Sequence, residues 1–157
     1  MKKLTIITGL SALTGMAILA GCGGDTGDVP PPVASAQSIV AKADWSKSQT
    51  IAVSLSSYAF TPAELTLQSG QPYKIHLTNG SDDTHTFSSA GFFKAVALQK
   101  VVVNGVEAPS VSDDGVTLKE HQQADLYLVP VTTGTFGLFC DQPLHDSFGM
   151  HGHIMIK

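Results

Sequence analysis

The sequence predicts an all-β fold, a single small sandwich, on three observations. From Thr50 onward, short apolar runs alternate with polar or smaller residues at period two. Clusters of turn-forming residues separate those runs at short intervals. No long amphipathic helical pattern interrupts them. A length of 157 residues suits one domain, and 43% hydrophobic against 14% charged residues allows a buried core and argues against disorder.

The elements follow in chain order. Ile51, Val53 and Leu55 share one face of a first strand. Leu65 and Leu67 repeat the pattern after Phe60-Thr61-Pro62, and Gln68-Ser69-Gly70-Gln71 is a turn. Tyr73, Ile75 and Leu77 point inward while Lys74 and His76 point to solvent, and Asn79-Gly80 is a further turn signal. The stretch from about 90 to 120 reads as an excursion between sandwich strands. Phe92 through Leu98 fits either a short helix or a strand. Val101, Val102 and Val103 form a strand before an Asn104-Gly105 turn, and Asp113-Asp114-Gly115 is another turn. Leu126 and Leu128 alternate with Asp125 and Tyr127 as far as Pro130. Thr132-Thr133-Gly134 then turns into Phe136, Leu138 and Cys140, and Ile154 and Ile156 close the chain.

The N-terminus carries an export signal rather than fold. Lys2 and Lys3 form a positive start, and residues 4–20 are almost wholly apolar or small, at the short end for a membrane span. Leu19-Ala20-Gly21-Cys22 resembles a bacterial lipobox, which implies that residues 1–21 are removed and that Cys22 is lipidated. Gly23 after that cysteine leans towards the outer membrane. The expected location is therefore the cell envelope, on a lipid anchor facing the periplasm. Residues 22–49 read as lipidated Cys and flexible tether, because Gly23, Gly24, Gly27 and Pro30-Pro31-Pro32 oppose regular structure. Trp45 stands out there; it either docks on the domain or opens the first strand. The domain itself is expected at 50–157.

Charge excludes one class of function. The chain has no Arg, its formal net charge is −4, and no basic stripe is visible, so nucleic acid is not an expected partner. Cysteine usage is more telling. The chain has two Cys, and lipid on Cys22 leaves Cys140 with no partner for a disulfide. A lone thiol in an oxidising compartment oxidises or cross-links, and a metal bond protects it.

Cys140 opens a loop that holds His145 and Met150 ahead of the strand at Ile154. One loop between two strands can aim thiolate, imidazole and thioether at a single point. A second imidazole comes from elsewhere, and His85, after the Asn79-Gly80 turn, is well placed. Two imidazoles, a thiolate and a weak axial thioether make the blue-copper ligand set. Zinc accepts Cys and His, whereas Met is not among its usual ligands. His76 is expected to be solvated and His121 to be a loop histidine. His151 and His153 flank Gly152 and suggest a secondary metal position, with Met155 as a further donor.

At these residues the chain resembles the cupredoxins, the family of plastocyanin, azurin and pseudoazurin. The resemblance rests on Cys140-x4-His145-x4-Met150-x-Gly152-x-Ile154, on the lead-in Thr135-Phe136-Gly137-Leu138-Phe139 and on His85-x-Phe87. It implies a Greek-key β-sandwich from about Ile51 to Lys157 and one copper per chain, cycling between Cu(I) and Cu(II). By the resemblance, His85, Cys140 and His145 are equatorial ligands and Met150 is axial. Pro143, Leu144 and Phe148 would then surround His145 as an electron-entry patch.

Electron transfer is the function expected first, with copper handling (sequestration, buffering or delivery) as the alternative. The acidic surface suits a basic redox partner such as a c-type cytochrome; the alternative calls for copper-handling proteins instead. No enzyme activity is expected. Copper oxidases and nitrite reductases need further copper centres and domains, and a dinuclear centre needs a second Cys in the loop.

Overall fold

The computed structural model describes residues 35–108, 112 and 114–157. The export signal, Cys22 and the Gly- and Pro-rich part of the tether lie outside the described residues, as does Asp113. A helix, α1 (Ala36–Lys42), leads through a 3₁₀ turn (Trp45–Lys47) into β1 (Gln49–Ser56). Then come β2 (Ala59–Thr61), β3 (Glu64–Leu67), β4 (Tyr73–Asn79), β5 (His85–Ser88) and α2 (Ala90–Ala95). The remainder is β6 (Val96–Val103), β7 (Val106–Glu107), β8 (Gly115–Leu118), β9 (Gln123–Pro130), β10 (Gly134–Phe139) and β11 (His151–Ile156).

These strands form the expected sandwich. One sheet runs β2-β1-β4-β9-β6-β7 and the other β3-β11-β10-β5-β8. The chain passes repeatedly from one sheet to the other, and β1 lies parallel to β4 as β3 does to β11. Alternation along the strands fills the space between the sheets. Val53, Leu55, Ile75, Leu77, Leu126 and Leu128 face inward from the first sheet, Leu65, Leu118, Leu138 and Ile154 from the second. Each such side chain, taken from water, stabilises the fold by about 1.5–3 kcal/mol before entropy is counted.

Two segments differ from the sequence reading. The C-terminal half of the expected tether is structured. Between Pro32 and Gly70 the sequence has Pro62 alone from the pair of helix-breaking residue types, so 33–49 lacks the signals that mark 23–32. Trp45 docks there: its Nε1 donates to Val40 O at 3.1 Å and its ring meets Tyr127 edge-on at 6.4 Å. Asp44 receives Ser46 N at 3.2 Å and closes the turn. The stretch 90–120, read as an excursion, supplies β6 and β7 to one sheet and β8 to the other. Helix and strand both occur where one or the other was expected, as α2 followed by β6. A bulge between Leu98 and Lys100 shifts the register of β6 on β9, which breaks the period-two pattern in the sequence. Asn104 and Gly105 both take positive φ, 49° and 81°, the geometry of a two-residue hairpin.

Gly152 has a steric reason. A Cβ there would run into the backbone carbonyl of Ala63, with the carbonyl carbon at 2.9 Å. The same carbonyl accepts from His153 N at 2.9 Å. We expect Gly152→Ala to force β3 away from β11 and to cost about 1–3 kcal/mol. The check is a lower urea midpoint at unchanged slope; an unchanged midpoint would contradict the close approach.

Candidate metal centre

Two loops at one end of the sandwich bring the site together. The first leads from β4 into β5. Asn79 ends β4 with its side chain buried, and its Nδ2 donates to Asp83 O at 2.7 Å, Lys119 O at 3.0 Å and Leu118 O at 3.2 Å. Its Oδ1 accepts from Ser81 N at 3.1 Å and from Ser81 Oγ at 2.9 Å. The Asn79-Gly80 signal thus marks the end of a strand, with the amide side chain holding the loop. Ser81 Oγ lies 2.8 Å from His85 Nε2, which leaves His85 Nδ1 facing the other loop.

The second loop joins β10 to β11. Cys140 follows β10 directly, and its N donates to Met150 O at 3.2 Å, so the two ends of the loop meet. Met150 N donates to His145 O at 3.0 Å, and Gly149 N to Asp146 O at 2.8 Å. Gly149 turns the chain at φ +101°, in the region that favours glycine. Thr86 ties the loops together: its N donates to Cys140 Sγ at 3.4 Å and its Oγ1 accepts from Asp141 N at 2.6 Å. Ser88 Oγ bonds the Asp141 carboxylate, and Ser89 Oγ donates to Gly137 O at 2.6 Å. The buried polar side chains Asn79, His85, Thr86, Ser88 and Ser89 all serve this end, each with a partner, as burial requires.

His85 Nδ1 and His145 Nδ1 stand 3.1 Å apart, and Cys140 Sγ lies 3.4 Å from His145 Nδ1 and 3.9 Å from His85 Nδ1. Among the described residues this trio is the one group of three His, Cys or carboxylate donors whose ligand atoms all lie within 4.8 Å. Donors about 2.0–2.3 Å from a shared ion stand about 3–4 Å apart when the bond angles are about 100–130°. The trio therefore fits a single ion without rearrangement. A thiolate with two imidazoles suits copper in both oxidation states. Burial, and then the nearby His145, push the pKa of His85 below the usual histidine range. Both favour the neutral form of His85, which is the form that ligates.

Of the residues expected from sequence, His85 and Cys140 are buried and His145 is half-buried beside them. The Met150 side chain is fully buried, and its backbone is bonded to both Cys140 and His145. Pro143, Leu144 and Phe148 lie exposed in the same loop. His76 lies on the outward side of β4, paired with Asp125 at 2.7 Å, and His121 is exposed beside Asp82 at 3.0 Å. His151 and His153 lie on the outer side of β11, away from the trio's buried face.

Tyr58 was missed by sequence reasoning. Its ring packs edge-on against His145 at 5.2 Å and tilted against Phe148 at 4.8 Å. It reaches them from the two-residue turn between β1 and β2, at φ 68°. A lone Tyr in a Ser-Tyr turn carries no sign of a partner more than eighty residues away.

No curated protein sequence matches the chain. Among solved structures, auracyanin B aligns at 19% identity with a TM-score of 0.50, over 69% of this chain and 88% of its own. Auracyanin from Roseiflexus castenholzii aligns at 16% identity with a TM-score of 0.51, over 70% and 98%. A multi-copper oxidase from Pseudomonas thermotolerans aligns at 20% identity with a TM-score of 0.59, over 74% of this chain and 31% of its own. At such identities these structures share the fold alone with this chain. Residues 33–156 match the cupredoxin-like domain family, and the chain, with its His-Cys-His trio at one end of the sandwich, belongs to that family.

Proposed function

We propose that this chain is a mononuclear type 1 copper protein that carries single electrons in the bacterial cell envelope, tethered there by lipid on Cys22. The observation that carries the reading is the convergence of His85 Nδ1, His145 Nδ1 and Cys140 Sγ. When bound, the copper takes up and gives back one electron by alternating between Cu(II) and Cu(I). The chain's own residues keep the ligands still. Asn79 and Ser81 fix the loop and ring of His85, Thr86 donates to the thiol sulfur, and the buried Met150 at the end of the same loop as Cys140 and His145 would supply a fourth, thioether donor. Ligands held this way move little between oxidation states, which keeps reorganisation small.

His145 offers the route in and out, because it alone of the trio is half-buried rather than buried. Leu144 and Phe148 are 66% and 60% exposed in its loop, and Tyr58 covers one side of its ring. This apolar rim suits docking of a redox protein, and the acidic net charge favours a basic one such as a c-type cytochrome. The test is stopped-flow reduction of the loaded chain by such a cytochrome. The reading expects rates that fall steeply with salt; rates indifferent to salt would remove the charge argument.

Copper handling is the second reading, favoured by the exposed histidines of β11. Passage of the ion itself to an acceptor protein would support it, whereas turnover of electrons with the copper retained supports the first. For the axial position we expect Met150→Leu to keep the intense visible band and raise the reduction potential. A colourless Met150→Leu protein would show that the thioether is needed to hold the ion.

A further inference from the structure

We propose a second metal site on the outer face of β11, in which His151 and His153 chelate one divalent transition ion, Cu(II) most tightly. It is separate from the Cys140 trio and does not depend on the function read from it.

His151 and His153 are two apart on one strand, so both imidazoles leave the same face, about 6.7 Å apart at their Cα atoms. Gly152 between them points into the sandwich. Both side chains are open to solvent, 55% and 56% exposed. Across the ladder His153 faces Gly137, over which the Phe139 ring lies, and His151 faces Phe139 itself. To share an ion the two rings must turn about their side-chain torsions, and the exposed side chains of Glu64 and Asp146 can turn with them.

The orientation of the rings is the second observation. His153 Nδ1 lies 3.0 Å from Glu64 Oε1, and His151 Nδ1 lies 3.3 Å from Asp146 Oδ1. At His153 the hydrogen bond to Glu64 favours the tautomer with its proton on Nδ1, so the lone pair sits on Nε2; at His151 the Asp146 carboxylate makes an ion-pair contact on the same side of the ring. Among the described residues neither Nε2 has a hydrogen-bond partner. Metal-binding histidines are commonly arranged as His153 is, with a carboxylate behind the ring that fixes its tautomer. The two carboxylates also bring negative charge to the place where a dication would sit. Two imidazoles in water prefer Cu(II) over Zn(II) and Ni(II). Met155, third in the same row, is a thioether and adds little for Cu(II).

The full chain, loaded with one equivalent of copper, is titrated with further Cu(II) and followed by EPR and the visible spectrum. We expect a second equivalent to bind and to give a separate EPR signal split by imidazole nitrogen, with no growth of the thiolate-to-copper band. In the His151→Ala/His153→Ala double variant the first equivalent still gives its band, which shows that the domain is folded, and the second is lost. The proposal is overturned if the wild-type chain takes up no second equivalent. It is also overturned if the double variant binds the second one with unchanged affinity. Failure of the Cys140 reading looks different: the first equivalent would then bring no visible band, while the difference of one copper between wild type and double variant would persist.

Discussion

Cys140→Ser should abolish the visible colour of the copper-loaded protein. The band arises from charge transfer between a thiolate sulfur and Cu(II), and Cys140 Sγ is the one sulfur in the trio at His85 and His145. A serine hydroxyl stays protonated near neutral pH, so it is both a weaker ligand and no source of that band. Copper affinity should fall by more than the about 10–100-fold that loss of an outer-shell partner costs. The fold should persist, because Ser is smaller than Cys and the amide of Thr86 can donate to its oxygen instead of to sulfur. The measurement is the absorption spectrum with a copper titration, alongside far-UV circular dichroism. A variant that keeps the band would move the sulfur ligand elsewhere.

Asn79→Ala should be the most damaging single change outside the ligands. It removes one side chain whose two amide hydrogens are shared among three carbonyls, of Asp83, Leu118 and Lys119, and whose oxygen accepts two bonds from Ser81. An orphaned buried polar group costs about 1–3 kcal/mol, and water can reach some of these carbonyls. A net loss of about 2–4 kcal/mol is therefore expected. The loop that carries Ser81 would also loosen, and with it the orientation of His85. Copper affinity should therefore drop together with stability. Asn79→Asp keeps the acceptor oxygen and loses both amide hydrogens, so it should behave nearly as badly. Chemical denaturation of the metal-free and copper-loaded forms checks both points. Wild-type affinity in a destabilised Asn79→Ala protein would show that the amide supports the fold but not the site.

Much of the sandwich was legible because inward-facing residues repeat every second position in β1, β4, β9 and β11. The loop part of the site was legible for a similar reason: Cys140, His145 and Met150 are close in sequence, and a short loop keeps them close in space. His85 could be proposed because the chemistry demanded a second imidazole. What stayed hidden depends on contacts distant in sequence or on broken periodicity. The bulge beyond Leu98 disguises β6, and α1 is a short helix placed by the docking of Trp45 on Tyr127. Tyr58 beside His145 and the bonds of Asn79 to Leu118 and Lys119 join partners far apart in sequence, whereas Ser81 behind His85 is a contact within one loop whose shape the sequence pattern does not show.

The proposed function requires that one sulfur and two imidazole nitrogens share a single copper ion. Copper-edge X-ray absorption on the full chain loaded with one equivalent reads that inner shell directly. One short copper–sulfur distance together with two imidazole nitrogens is expected, the sulfur disappearing in Cys140→Ser. A shell of nitrogen and oxygen alone in the unaltered protein would contradict it.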